Sequence, residues 1–403
     1  MATLTDTVLG VLRYPLPASA AAHPAAEAAD LAALAAEKGR PLSVAVARFD
    51  GIGDWVLTLP LVSALAASPA VADLAVVAPA PWRGLLDRGV AGRFVPYGLG
   101  TILAPPPPGG VLGKVRAVAW PTGRAARAAG ARDAGGVDVV VLPRWDTDLG
   151  SNARAWAAGT GAVLLGFDPA AVPGTTRRER RERRLLTAPV ADAAPATHEI
   201  EHLRLLMDAL GLGTDVRPGY GAEYFGVPRV ADAEQPYVVV HALSNEPKRQ
   251  WPPQRWREVA AALTRDHDVD VVLIGSAAER DRLGTIAEGL GPRVRVQAGQ
   301  PLAELPALLA AADSFVGNDS GPMHVAASLG VPVVAVSPHP EDGDPAHRNS
   351  PVRFGPWGVR TQVLRPATGL DRCRAGCVAR TPHCITAVSV DQVLAAVGRV
   401  RGA

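Results

Sequence analysis

Twice in this chain a run of small apolar residues ends in a turn rich in glycine and aspartate and passes at once into an apolar helix. The later case is Asn318-Asp319-Ser320-Gly321-Pro322-Met323-His324, with the stretch Ser314 to Gly317 before it and Gly330-Val331-Pro332 after it. It reads as a short strand, a tight polar turn and a helix over Pro322 to Leu329. A helix start carries unpaired N–H groups, so several donors point at whatever lies above the turn, which makes an anion site. Gly321 leaves room for a ligand at the backbone, Pro322 suits the first helical position, and His324 lies one turn in with a ring nitrogen able to donate. Standing alone, such a turn is equally well an ordinary connection with Asp319 as the helix cap.

The earlier case weights the choice. Arg48-Phe49-Asp50-Gly51-Ile52-Gly53-Asp54 follows a buried-strand pattern from Ser43 to Phe49 and precedes an apolar helix from Trp55 to Ala67. Asp54 therefore stands near a helix start at the carboxyl end of a strand, where open α/β sheets bind their ligands. Val56 occupies the place of the third glycine in the dinucleotide fingerprint, so the turn is not that motif.

Strand and helix patterns alternate on both sides of the chain's middle. Ser43 to Phe49, Leu74 to Ala78, Phe94 to Tyr97, Val137 to Leu142 and Ala162 to Gly166 read as strands of one half. Tyr237 to His241, Asp270 to Ile274, Val294 to Val296, Ser314 to Gly317 and Val331 to Ser337 read as strands of the other. Helices are expected near Pro253 to Thr264, Ala278 to Leu290 and Leu302 to Ala312. Two alternating halves mean an α/β protein with two Rossmann-like βα domains facing across a cleft. Residues 213–235, rich in Gly and Pro, are the expected linker. Residues 1–42 form an extension, partly helical over Ala25 to Lys38.

Length and charge set limits. With 403 residues and 48% apolar content there is material for two cores. A net charge of +2 supplies no field for nucleic acid. No stretch of about 18 uninterrupted apolar residues is found, so no membrane span is expected. Met1 to Arg40 lacks a basic start and an apolar signal core, which makes cytoplasmic residence the expectation.

The motifs in order resemble glycosyltransferase family 9, the bacterial heptosyltransferases that use ADP-heptose. The first signature stands as Ile52-Gly53-Asp54 with Thr58-Leu59-Pro60, the second as Asn318 through His324 with Ala326-Ala327, Leu329-Gly330 and Pro332. Between them His198 to Leu212 is similar to the family's inter-domain helix, and Lys248-Arg249-Gln250-Trp251-Pro252 with Trp256 to its basic-Trp-Pro loop. The resemblance covers residues 43–395. It implies a GT-B architecture with an acceptor domain at 43–212, a nucleotide-sugar donor domain at 236–385 and a terminal helix at 386–403. It implies inverting transfer of a sugar from ADP-heptose to a hydroxyl of a glycan or small-molecule acceptor, without metal or cofactor and by a monomer.

That chemistry asks for two devices. The diphosphate gains charge as the glycosidic bond breaks, so it needs preorganised donors. Ser320, Gly321, Met323 and His324 are assigned to it, with Lys248 or Arg249 as the cation; the family's basic residue sits two before the Trp, at Arg249. The acceptor hydroxyl needs a base, and Asp54 is the candidate, kept ionised by its helix start, with Gly51 and Gly53 shaping the cleft beside it. Asp319 beside a diphosphate would be repelled, so capping the helix, orienting His324 or holding a sugar hydroxyl are its expected roles. Glu279 stands where an acid can accept ribose hydroxyls, or is an exposed helix-start glutamate.

Arg177 to Arg184 places six arginines in eight residues. It is a solvated face or a grip, through Arg180 and Arg181, on an anionic acceptor at a membrane surface. Cys373, Cys377 and Cys384 beside His383 match common zinc spacings poorly and read as structural, with no metal expected. A sugar-nucleotide 2-epimerase, or a silent nucleotide-sugar-binding protein, is the alternative reading.

Overall fold

The computed structural model describes residues 30–87, 93–97, 136–144, 150–168, 186, 188–190, 197–230, 235–347, 349–370 and 381–402. They form two six-stranded sheets. The first contains β1 (Leu42–Ala47), β2 (Val71–Pro79), β3 (Arg93–Tyr97), β4 (Val139–Leu142), β5 (Val163–Phe167) and β6 (Ala188–Val190) in the order β3-β2-β1-β4-β5-β6. The second contains β7 (Tyr237–His241), β8 (Asp270–Gly275), β9 (Val294–Ala298), β10 (Ser314–Asn318), β11 (Val333–Val336) and β12 (Thr361–Leu364) in the order β12-β11-β10-β7-β8-β9. Every pairing is parallel. Counted from its own first strand, each sheet runs 3-2-1-4-5-6, the doubly wound order whose ligand crevice opens between strands 1 and 4. Two Rossmann-like domains are thus present, with the crevices at β1/β4 and β7/β10.

The central strands are runs of Val, Ala and Leu because both faces are covered. Two edge strands escaped the sequence pattern. β6 is three residues with Pro189 in it, and β12 is half-exposed along its length, so neither has the apolar run that marks a buried strand.

The helix Ile52–Ala67 is apolar on every side, and its packing explains why. It lies between the first sheet and the helices Glu199–Ala209, Tyr220–Phe225 and Gly321–Ser328, so it has no solvent face to keep polar. One apolar core runs from Val44 and Trp55 through Tyr224 and Phe225 to Met323, Ala326 and Val333, joining the domains. The expected linker contributes to that core. Tyr220–Phe225 is a helix within it, docked on Ile52–Ala67 and on Gly321–Ser328, where Gly221 lies so close to Ser328 that any side chain there would collide.

At the other ends the sheets recruit terminal pieces. Asp30 caps the helix Leu31–Lys38 by accepting from Ala32 N at 2.7 Å and Ala33 N at 3.0 Å, and Leu31 is buried with its N–H on Leu210 O. The helix Val390–Arg401 buries Val393, Ala396, Val397 and Val400 against the second sheet and the helix Pro253–Asp266. Both therefore pack as parts of their domains. Among the described residues no helix is long and apolar enough to cross a membrane.

Candidate active site

A cleft of about 1010 Å³ opens between the two crevices. Its first-domain wall is Asp50 to Asp54, Trp82 and Arg144; its second-domain wall includes His241, Ser244 to Glu246, Arg249 and Asp319 to Pro322. Farther along the second domain Ile274, Leu302, Leu305 and Leu308 line an apolar stretch edged by Glu279, Gln297, Gln300 and Glu304. Asn349, from the loop after β11, and Phe354, from the short helix Pro351–Phe354, also line it.

The two turns meet across the domains. The helix Gly321–Ser328 starts at Ser320, and its first residues abut those of Ile52–Ala67. A Cβ on Gly321 would overlap the Ile52 Cγ2 methyl and lie 3.5 Å from Gly53 N, and a Cβ on Gly53 would lie 2.5 Å from His324 Cδ2. Gly321 was expected to make room for a ligand; it lines the cleft, but what forbids a side chain there is the other domain.

Asp54 is in the first turn of its helix, with Gly51 at the cap position. It accepts from Arg48 Nη2 at 3.0 Å. Arg48 is buried, grips both Asp50 oxygens from Nε at 2.8 and 2.9 Å, and donates from Nη1 to Thr58 Oγ1 at 3.0 Å. Arg144 also pairs with Asp50. Burial opposes the Arg48 charge, yet Asp50 and Asp54 outweigh it and hold the guanidinium protonated. The helix start was expected to keep Asp54 ionised at neutral pH. Burial, then the Asp50 carboxylate, pushes it up to about 6 against Arg48 and Arg144, above the ordinary carboxylate range but still mostly ionised at pH 7.

On the facing wall Asn318 sets the geometry. Its Oδ1 accepts from Trp251 N at 3.0 Å and its Nδ2 donates to Ala242 O at 2.8 Å, tying the 247–251 loop to the ends of β7 and β10. Trp251 is fully buried edge-on against Trp256, with ring centroids 4.8 Å apart, which anchors the loop and brings Arg249 to the cleft. Arg249 donates to Asn349 and lies 3.5 Å from Glu246. Of the two expected cations, Arg249 lines the cleft, whereas Lys248 pairs with Glu246 at 3.3 Å and is not among the lining residues.

Other expectations need correction. Asp319 does not cap the helix, for Ser320 occupies that position with no side-chain cap bond; Asp319 accepts from Ser337 Oγ at 3.1 Å. Burial pushes its carboxyl up, against Arg249 and the Ser337 bond. Met323 points into the shared core, 1% exposed, because the helix turns that side away from the cleft. Glu279 forms a capping box with Ser276, accepting from its N at 2.8 Å and Oγ at 2.7 Å, so one oxygen is already engaged though the residue lines the cleft. Ser320 Oγ lies 2.9 Å from His241 Nδ1 and donates to Asn318 O. His324 and His241 are held neutral by burial, pushed down to about 3 and about 4; for His324 His198, Arg48 and Arg249 add to it. Arg180, Arg181, Cys373 and Cys377 lie outside the described residues. Cys384 is a buried free thiol.

Sequence reading missed Arg144, His241, Asn349, Phe354 and the roles of Arg48 and Asp50. A signal existed for Arg144 and His241: each is a polar residue at the carboxyl end of a strand that flanks a switch point.

Two doubly wound domains with a cleft between facing switch points define the GT-B fold. The family model described as glycosyltransferase family 9 (heptosyltransferase) matches residues 175–377, and the chain belongs to that family. Lipopolysaccharide heptosyltransferase 2 of Escherichia coli K12 is 34% identical over 143 residues, which is 34% of this chain and 38% of that protein. Lipopolysaccharide heptosyltransferase 1 of Pseudomonas aeruginosa is 32% identical over 141 residues, 34% of this chain and 39% of its own length. These similarities thus span well under half of either relative. The structure of the E. coli heptosyltransferase WaaC with ADP shares the fold at a TM-score of 0.64 and 19% identity, covering 89% of this chain and 99% of that one.

Proposed function

We propose that the protein is an inverting glycosyltransferase that moves a heptose from ADP-heptose to a hydroxyl of a glycan or small-molecule acceptor, with Asp54 as general base and no metal. One observation carries the reading. The start of the helix that bears Asp54 and the amide-bearing start of Gly321–Ser328 face the same cleft, with Arg249 beside the second.

The diphosphate lies at the Ser320–Gly321 amides, and Arg249 neutralises the charge that grows on its leaving oxygen. Neutral His324 supplies a further donor. The apolar stretch of Ile274, Leu302 and Leu305 receives the base of the nucleotide, with Glu279 near the ribose. Asp319, with its pKa raised, receives a sugar hydroxyl. From the opposite wall the acceptor oxygen attacks the anomeric carbon as Asp54 takes its proton. An acceptor hydroxyl has a pKa some ten units above an ordinary carboxylate, so the proton moves late, in the transition state. The raised Asp54 value narrows that gap while leaving the group mostly ionised at pH 7. The site of action is cytoplasmic in this reading, and a lipid-linked acceptor would bring peripheral membrane contact.

The test is turnover of ADP-heptose against a panel of nucleotide sugars, with and without EDTA, scored by product analysis. Release of ADP with a new glycoside, undiminished by EDTA, is expected. Asp54→Asn should retain ADP binding and lose about 10²-fold to 10⁴-fold in turnover. An isomerised nucleotide sugar as product, or near-full rate in Asp54→Asn, would refute the assignment.

A further inference from the structure

Asp54 presents two oxygens, and the surroundings treat them differently. Oδ1 accepts from Arg48 Nη2 at 3.0 Å. Arg48 does not line the cleft; it approaches from behind, 4% exposed, and is itself fixed at three points. Its Nε holds both oxygens of Asp50, its Nη1 donates to Thr58 Oγ1, and its main-chain oxygen accepts from Trp55 Nε1 at 2.9 Å. Thr58 Oγ1 donates in turn to Asp54 O at 2.9 Å, so the first turn of the helix is tied to the same guanidinium.

Oδ2 faces Gly51. A Cβ on that residue would stand 3.0 Å from Oδ2. The Gly51 backbone, at φ −68 and ψ 161, is one that any residue adopts, so its own conformation does not call for glycine. What the missing side chain leaves is space over Oδ2, on the cleft side, where Gly51 is exposed.

We propose that Arg48 is a positioning residue that assigns the two oxygens of Asp54, pinning Oδ1 from behind so that Oδ2, left open by Gly51, is the atom that takes the acceptor's proton. The inference rests on the transferase reading and deepens it. The acceptor O–H proton passes to Oδ2 as its oxygen bonds to the anomeric carbon, and the bond to the phosphate oxygen breaks with its electron pair leaving on ADP. Asp54 ends neutral, protonated on Oδ2, with Oδ1 still on Arg48. A guanidinium suits the task because its fork is rigid and stays charged when the carboxylate loses its charge.

Other titratable groups face Asp54 and set the controls. Asp50 and Arg144 lie beside Arg48, Glu199 approaches from its helix, and across the cleft stand His324, Asp319 and Arg249. Arg48 and Asp50 act on the carboxylate with opposite sign. Removing the first should raise its titration and removing the second should lower it, whereas a purely structural lesion would reduce activity without moving the titration in either direction.

The experiment has two arms on the full chain. The first is carboxyl ¹³C NMR titration of aspartate-labelled protein, with the Asp54 signal identified by its loss in Asp54→Asn. Arg48→Met should move the Asp54 midpoint up by roughly one unit or more, Asp50→Asn should move it down, and Arg48→Lys, which keeps the charge, should move it less. The second is ADP release from ADP-heptose. Gly51→Ala, at an exposed turn position, and Arg48→Lys should each slow turnover about tenfold or more with ADP affinity unchanged. If Arg48→Met fails to fold, the Arg48→Lys and Gly51→Ala turnover and the Asp50→Asn titration decide. An unmoved midpoint in the folded charge-altering variants, or a full rate in Gly51→Ala, overturns the assignment of oxygens. Full rate in Asp54→Asn is a different result and overturns the transferase reading itself.

Discussion

Replacing Gly321 by alanine is the sharpest test of how the two domains hold the cleft. The added Cβ would overlap Ile52 Cγ2 and otherwise lie 3.5 Å from Gly53 N and 3.6 Å from Ile52 Cβ. Only the Cγ2 methyl is therefore in the way. Relief requires either an off-rotamer Ile52 or a shift of one helix start from the other, and overpacking of this kind costs about 1–3 kcal/mol. In the proposed mechanism a shift of about 1 Å between Asp54 and the Ser320–Gly321 amides is enough to lower turnover about 10²-fold. Gly321→Ala should thus lose stability in thermal denaturation and lose turnover more than ADP affinity. Ile52→Ala removes the offending methyl and leaves the 3.6 Å contact, which is ordinary van der Waals distance. The double variant Gly321→Ala/Ile52→Ala should recover most of both losses, with a coupling of about 1–2 kcal/mol in the stability cycle. Strict additivity of the two substitutions, in stability and in turnover, would show that the helix starts are not in register as described.

With Asp54 as the proposed base, the pH dependence of kcat/KM should have an acid limb near 6, because the carboxyl is pushed up to about 6; about a tenth of the neutral rate should remain at pH 5, and a limb near pH 4 would contradict the burial assigned to it. Asn318→Ala strips the acceptor from Trp251 N and the donor from Ala242 O, both buried, and should cost about 1–3 kcal/mol and weaken ADP binding in calorimetry by freeing the loop that carries Arg249. Unchanged ADP affinity would separate that loop from the donor site. Arg353, 2% exposed, grips Glu199 across the domains, with Nε to Oε1 at 3.0 Å. Burial opposes the Glu199 charge, but the His202 hydrogen bond and Arg353 hold its carboxyl down to about 2, so this stabilisation is present above the ordinary carboxylate range and fades as pH falls toward 2. Arg353→Met should cost about 3–5 kcal/mol in denaturant unfolding, and adding Glu199→Gln should restore part of it; a more severe double variant would argue against a buried charge as the cause.

What the sequence makes legible follows from which forces act locally. The central strands are readable because burial on both faces forces unbroken apolar runs, and the two cleft turns because glycine, aspartate and proline are each selected by backbone chemistry at a strand-to-helix junction. Edge strands β6 and β12 bury too little to leave such a run. Asp54, Ser320, Gly321 and His324 reach the cleft from these turns as the resemblance implied, whereas Met323 belongs to the core. Arg249 lines the cleft and Lys248 does not, in line with the spacing to Trp251 that the resemblance carried; the chemistry of two neighbouring cations in a loop does not by itself tell them apart.

Gly321 and Asp54 show most clearly why the remainder is not in the sequence. A glycine in a turn suggests room for a ligand, yet the nearest obstacle to a side chain here is an isoleucine from the other end of the chain. A carboxylate at a helix start suggests a lowered pKa, yet burial and a second carboxylate four residues earlier outweigh the helix and two arginines. In both cases the local rule holds and is overridden by what the fold places alongside: the other domain at Gly321, burial and Asp50 at Asp54. Closure of the two domains makes the cleft: the first-domain wall brings Asp50 and Asp54, the second brings the Ser320–Gly321 turn and Arg249, and the proposed coupling of proton removal to phosphate departure requires both within one cleft.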